Sequence, residues 1–215
     1  ALDFYEKGIT NVKMLKQKIK KKEIEVNDKI ILGLKYHGVY KVNIPRKEIT
    51  DTYKVLKKIV KKMNKKHDYP KEKQYCLEIC GSYRREKPKS NDIDVLLTKF
   101  GTTDKSSKKD KHLQKFVKKL KKNIRSNNNS PLLVDDMTDK KIETKYMGFS
   151  KYKNNPVRRI DIRYIQYSSY HSALLYFTGS GDLNKKMRQI AKNKGYKLSE
   201  YGLFKLSDNS KIKIK

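Results

Sequence analysis

Tryptophan is absent from this 215-residue chain, cysteine occurs only twice, and acidic residues are scarce, 23 Asp+Glu against 54 Lys+Arg. No apolar run approaches the roughly 20 residues that cross a bilayer, and no secretory signal pattern is present, which excludes a membrane-embedded protein. Cys76 and Cys80 cannot build a disulfide scaffold and have no second Cys or His pair for zinc. They read as small buried residues in a reducing intracellular setting rather than as a redox pair. The shortage of negative charge leaves a formal net charge of +31. Such a chain repels itself and fits beside a polyanion, nucleic acid first and an anionic membrane surface second. The length allows one or two domains with a real core.

What is there is mostly lysine. Only eight of the 54 basic residues are arginine, and six of these eight fall in three places: Arg84–Arg85, Arg158–Arg159–Arg163 and Arg188. Abundant Lys, Asn and Ile are also what an A/T-rich genome yields, so most lysines read as a solvated surface. A guanidinium fork grips phosphate in a way that an ammonium cannot copy, so the arginines mark the places to inspect. Tyrosine is frequent, at 15 residues; aromatics among lysines can stack on bases, although most belong to the core. His37, His67, His112 and His171 show no ligand spacing and read as surface or packing residues. The basic run Lys105–Lys122 reads as a tracker of DNA backbone or, more plainly, as a solvated helix face.

The hydrophobic period predicts short helices around Val12–Ile24 and Asp28–Tyr36. A long helix follows the break at Ile44-Pro45-Arg46, with Val55, Leu56, Ile59, Val60 and Met63 on one face. Strands are predicted at Tyr75–Cys80 and Asp92–Thr98, a helix over Leu113–Ile124, a polar loop at Arg125–Ser130, and paired strands at Lys141–Phe149 and Val157–Gln166. Helices at Ser169–Tyr176 and Asp182–Lys194 flank a break at Thr178-Gly179-Ser180-Gly181.

Three motifs carry chemistry. In Asn91-Asp92-Ile93-Asp94-Val95 strand alternation puts Asp92 and Asp94 on one side and the aliphatic residues on the other. In Arg158-Arg159-Ile160-Asp161-Ile162-Arg163 the same alternation groups Asp161 with Arg159 and Arg163. If the two strands are neighbours, three carboxylates converge, the equipment for two magnesium ions; otherwise each Asp is an exposed strand residue. Cys80-Gly81-Ser82-Tyr83-Arg84-Arg85 is a strand-to-helix turn, either a phosphate seat or a capped connection. A Gly-Ser turn followed about ten residues later by Asp-x-Asp on a strand is the arrangement of nucleotidyltransferases.

The stretches CGSYRR, NDIDVLLT, ETKYMG, RRIDIR, LLYFTGSGDLNKKMR and NKGYKLSEYGLF, in this order, closely resemble the family X DNA polymerases of the DNA polymerase beta type. The resemblance runs from Leu2 to about Phe204. It implies an α+β fold: a nucleotidyltransferase palm with a small mixed sheet at 43–167, an N-terminal helical DNA-binding subdomain at 1–42, and a truncated α/β nucleotide-selection subdomain at 168–215. It implies a template-dependent DNA polymerase that adds dNMP to a primer 3′-hydroxyl, filling short gaps in DNA repair. Its cofactor would be two Mg2+ ions, with Mn2+ able to substitute, and its partners primer-template or gapped DNA and dNTPs. A monomer is expected, in the nucleus or, for a viral protein, the host cytoplasm. The alternatives are a nucleotidyltransferase of RNA or terminal-transferase type, or a non-catalytic DNA-binding scaffold.

Residue by residue, the resemblance gives Asp92, Asp94 and Asp161 to the metals. Asp161 would also take the primer proton, with Arg159 positioning it. Gly81, Ser82 and Arg85 would hold the β- and γ-phosphates, and Tyr176, Phe177 and Gly179 the sugar. Asn184 would meet the minor-groove edge of the base. Lys185, Arg188 and Arg163 would contact DNA, and Glu200 and Tyr201 would support the closed state. The sequence departs from the family at Asn43, where an Arg that reaches the triphosphate is usual, at Asn91, where Gly is usual, and at Gly181, which removes a contact to the incoming base. Template-independent relatives carry Gly-Trp where this chain has Tyr176-Phe177. The chain is expected to enter partway through a helix–hairpin–helix motif, without the domain that bears the lyase lysine, and to stop before the family's final helix.

Overall fold

A computed structural model describes residues 2–39, 42–103, 111–138 and 142–212. It divides into two units, Ala1–Val39 and Tyr40–Lys215.

Among its described residues the first unit holds three α-helices: α1 (Leu2–Glu6), α2 (Val12–Lys20) and α3 (Asp28–Lys35). The side chains of Asn11 and Asn27 accept from the backbone N–H groups of Met14 and Ile30, at 2.9 and 3.0 Å, which caps α2 and α3. α2 is shorter than its apolar period predicts, because Lys22 takes a positive φ of 58° just beyond it.

The second unit is built on a five-stranded mixed sheet. Its strands are β2 (Tyr75–Ile79), β4 (Ile93–Lys99), β5 (Leu133–Asp136), β6 (Lys145–Ser150) and β7 (Arg158–Tyr164), in the spatial order β2-β4-β7-β6-β5. Only β4 and β7 run parallel. One face packs on α4 (Arg46–Lys66) and α6 (His112–Leu120). There Ile93, Val95, Leu97, Ile160 and Ile162 meet Leu56, Ile59 and Met63 of α4 and Phe116 of α6. Burying each such side chain is worth about 1.5–3 kcal/mol against leaving it in water. The other face is covered only in part, by α7 (Tyr170–Thr178), where Leu96 joins Cys80, Ile165, Tyr170 and Ala173. Strand alternation turns Asp94 and Asp161 toward this second, partly open face.

Several elements were not predicted. β5 is short and its register shifts between Leu133 and Asp135, so it shows no clean period of two. β1 (Ile44–Pro45) and β3 (Lys89–Ser90) make a two-residue ladder at the break before α4. After α8 (Gly181–Asn193) comes an antiparallel hairpin of β8 (Tyr196–Ser199) and β9 (Gly202–Lys205). α6 ends at Leu120, short of Ile124, which instead bridges Ser130. The polar loop between them is pinned by Asn127, which is fully buried. Its amide donates to the carbonyls of Ser130, Pro131 and Lys151, and its Oδ1 accepts from Lys153 N–H at 2.6 Å. The strand expected from Lys141 begins only at Lys145, after a bend at 143–144; Lys141 itself, the first part of the basic run, and the chain end at 213–215 lie outside the described residues.

A buried ion pair ties the layers together. Glu48, in the first turn of α4, accepts two bonds from Arg158 at the start of β7, Nε to Oε1 at 2.9 Å and Nη2 to Oε2 at 2.8 Å. The same guanidinium donates to Val42 O at 3.4 Å.

Candidate active site

Asp94 and Asp161 are direct cross-strand partners in the parallel β4–β7 pair. Asp92 lies one residue before β4 and in line with Asp94. The pairing of β4 with β7 therefore brings the three aspartates toward one face of the sheet. Burial pushes the Asp94 carboxyl up to about 7, and the charges of Asp92 and Asp161 add to the rise. Asp92 is raised as well, by burial and then by Asp161. Asp161 is held by Arg159, two residues away on the same strand, with Nε and Nη2 on its two oxygens at 3.2 and 3.1 Å. Among the described residues no three His, Cys, Asp or Glu side chains close on one metal-sized point. Still, three hard oxygen donors, two of them raised by burial and then by the neighbouring charges, suit a divalent cation.

The turn after β2 reaches the same place. Gly81 opens the short helix α5 (Gly81–Arg84) at a φ of +56°, and a Cβ there would lie 2.1 Å from Asp94 Oδ2. Only glycine permits both that backbone and that approach. Cys80 N–H donates to Asp94 O at 2.8 Å, which locks the turn to β4. The Cys80 thiol, buried beside Asp94, is pushed up to about 12, chiefly by burial. Ser82 does not point freely outward; its hydroxyl donates to Ser90 Oγ at 2.7 Å.

The two arginines of the turn grip α7. Arg85 Nη1 donates to Thr178 O at 2.6 Å and Arg84 Nη1 to Thr178 Oγ1 at 3.0 Å. Gly179, at a φ of +70°, leaves room for this, since a Cβ would come within 3.1 Å of Arg85 Nη1. Tyr176 and Phe177 meet edge to face at the end of α7, with centroids 5.3 Å apart. Asn184 is turned inward and donates to Tyr176 O at 2.7 Å, while its Oδ1 is buried without a partner. On α8, Lys185 pairs with Asp182 at 3.4 Å, and the Arg188 guanidinium lies 6.0 Å from the Tyr176 ring centroid.

Arg163, expected among the DNA contacts, lies 3.8 Å from Glu200 and over the ring of Phe177 at 5.7 Å. Glu200 and Tyr201 sit in the β8–β9 turn, where Tyr201 O accepts from Ser169 Oγ at 2.9 Å. A cavity of about 210 Å³ lies between the sheet edge and these elements, lined by Asp94, Asp161, Arg163, Tyr176, Phe177 and Glu200 among others. Lys145 also lines it and was missed; one more lysine in a lysine-rich chain carries no signal. Arg84 was noticed only as part of a pair, and Thr178 only as the start of a break between helices, because their contact spans 94 residues.

An aspartate pair aligned across parallel strands, beside a glycine turn where a Cβ would displace the Asp94 carboxylate, is the palm of a nucleotidyltransferase. Residues 43–167 match the family model described as DNA polymerase beta palm, and residues 173–215 the one described as DNA polymerase beta thumb. The chain belongs to family X of the DNA polymerases, the DNA polymerase beta type. It is 32% identical over 213 residues to DNA polymerase lambda of Arabidopsis thaliana, covering 98% of this chain and 37% of that protein. It is 31% identical over 177 residues to DNA polymerase lambda of Rattus norvegicus, covering 80% of this chain and 28% of that protein. The chain thus spans about a third of the length of these relatives. Among the described residues no helix is long and apolar enough to cross a membrane.

Proposed function

We propose that the chain is the catalytic part of a template-directed DNA polymerase that fills short gaps during DNA repair. The alignment of Asp94 with Asp161 across β4 and β7 is the observation that carries this reading. In the reaction the primer 3′-oxygen forms a bond to the α-phosphorus of a dNTP, the bond from that phosphorus to the bridging oxygen breaks, and pyrophosphate leaves. Asp92, Asp94 and Asp161 would hold two Mg2+ ions, or Mn2+, which supply charge neutralisation at the phosphates. The Asp161 carboxylate accepts the proton of the primer hydroxyl, and the Arg159 fork fixes its plane. Little covalent work falls to the protein; alignment and electrostatic complementarity do most of it.

The remaining residues bind and orient. Gly81, Ser82 and Arg85 receive the β- and γ-phosphates, for which Arg85 must leave Thr178 O. Tyr176, Phe177 and Gly179 shape the sugar site against ribose. Asn184 reads the minor-groove edge of the base once it releases Tyr176 O, an exchange its unpartnered Oδ1 favours. Lys185 and Arg188 follow the template strand. Arg163, Glu200 and Tyr201 hold the last hairpin against the sugar site. The assignment divides the chain into a DNA-gripping part at 1–42, a palm at 43–167 and a nucleotide-selection part at 168–215, working as a monomer wherever gapped DNA is repaired, the nucleus in a cellular host.

The test is Asp161→Asn on a gapped duplex with magnesium. Extension should fall by at least about 100-fold while DNA affinity holds, since removing a general base costs about that much or more. Extension at the unsubstituted rate would refute the assignment, and tailing of single strands as fast as templated insertion would refute the template dependence.

A further inference from the structure

Two hollows follow one another along α4 on the side of the sheet away from the aspartates. The first, about 270 Å³, is edged by Lys66 and His67 at the end of α4 and by Lys115, Lys118, Lys119 and Lys122 on and just after α6. The second, also about 270 Å³, is edged by Lys58, Lys62 and Arg125. Neither is lined by any Asp or Glu. Lys58, Lys62 and Lys66 are four residues apart, so they form one row at intervals of about 6 Å along the helix. Like charges at this spacing destabilise a helix. On the first half of α4, by contrast, Lys47 and Lys54 share Asp51. Beyond Tyr53 α4 has no acidic residue, and α6 has none at all. Among the described residues none of these seven lysines, nor Arg125, is paired with a carboxylate.

Leu56, Ile59 and Met63 beneath these hollows pack on Ile93, Val95 and Ile162, the sheet face opposite Asp94 and Asp161. A primer terminus at the aspartates therefore lies across the sheet from the groove. We infer that the α4–α6 groove is a second DNA-binding surface, which takes the phosphate backbone of a DNA segment other than the one being extended. Its charge complements a row of phosphates, and its rim offers no carboxylate that would select a cation or a basic peptide. The inference rests on the polymerase reading only for the identity of the polyanion.

The test changes six exposed groove lysines, Lys58, Lys62, Lys66, Lys115, Lys118 and Lys122, to Gln in the full chain. A control variant changes Lys57, Lys61, Lys65, Lys71, Lys73 and Lys111, exposed lysines outside the hollows. With the active site saturated by unlabelled gapped duplex, binding of a labelled intact duplex is followed by anisotropy from about 50 to 200 mM salt, the range over which phosphate contacts show most clearly. The unsubstituted chain and the control should capture the second duplex, with log affinity falling steeply against log salt. The groove variant should lose up to about 5 of that slope, near 0.9 per phosphate contact removed. Its insertion rate on saturating gapped DNA should be unchanged, and circular dichroism should report an intact fold. Equal losses in both variants would mean that only net charge matters, and would overturn the inference. Loss of polyglutamate binding with duplex binding retained would assign the groove to an acidic protein and overturn it as well. Because capture is measured without nucleotide, a failure of insertion would count against the polymerase reading and not against the groove.

Discussion

Gly81→Ala separates catalytic geometry from stability more sharply than any other single change. The added methyl would stand 2.1 Å from Asp94 Oδ2 and 3.2 Å from its Cγ, on a backbone with φ +56°. Its stability cost has two parts. An L-residue in the left-handed region costs about 1–2 kcal/mol. The clash itself is with the end of a rotatable side chain, so the fold relieves it cheaply by swinging the carboxylate away by about 1 Å. That displacement is small for folding and large for chemistry, where a misplacement of about 1 Å can cost about 100-fold in rate. Single-turnover insertion on gapped DNA should therefore fall by about 100-fold, while urea denaturation reports a loss of no more than about 2 kcal/mol. In an Asp94→Ala background the methyl meets no carboxylate, so Gly81→Ala should cost only the backbone term there. Near-normal insertion by Gly81→Ala would refute the claim that this glycine exists to admit Asp94.

Glu48→Gln leaves the Arg158 charge buried with a neutral partner, and breaking such a pair typically costs about 3–5 kcal/mol. Thermal unfolding should drop by roughly 10 °C in a chain of this size, and a loss below about 1 kcal/mol would contradict the ledger of that pair. The metal-free chain also has a pH signature. Folding lifts the Asp94 carboxyl from its ordinary 3.8 to about 7. Between those values the folded state holds a proton that the unfolded chain releases, so this group stabilises the fold at low pH and the contribution is lost as pH rises toward 7. Metal-free protein should be less stable at pH 8 than at pH 5 by up to about 2.6 kcal/mol, about two pH units at about 1.36 kcal/mol each, and Asp94→Asn should flatten that dependence. A dependence of the opposite sign that Asp94→Asn leaves unchanged would contradict it.

The catalytic strands were legible because period-two alternation is strong where aliphatic and acidic residues interleave, as in Asn91–Val95 and Arg158–Arg163. What alternation cannot provide is pairing. That β4 and β7 are neighbours, with Asp94 opposite Asp161, entered only as a condition and is settled by the sheet order. α4 was read from its apolar stripe, and its start from Pro45. By contrast, β8 and β9 expose only Lys197 and Lys205 and have four residues each, too few for a period to emerge. Arg158 read as one of a basic trio, yet it is buried against a glutamate 110 residues away, a partnership that no local pattern encodes. The family resemblance gave Ser82 and Arg85 to the nucleotide's phosphates. In the structure Ser82 bonds Ser90 and Arg85 bonds Thr178, partners 8 and 93 residues away that helical spacing does not encode.

The most direct measurement is single-turnover incorporation on a one-nucleotide-gapped duplex with magnesium, each of the four dNTPs and the matching NTP supplied separately. The account predicts rapid addition of the one dNTP that pairs with the template base, slow addition of its ribose counterpart at the site formed by Tyr176, Phe177 and Gly179, and no addition when Asp161 is Asn. Equal incorporation of all four dNTPs, or none of any, would contradict it.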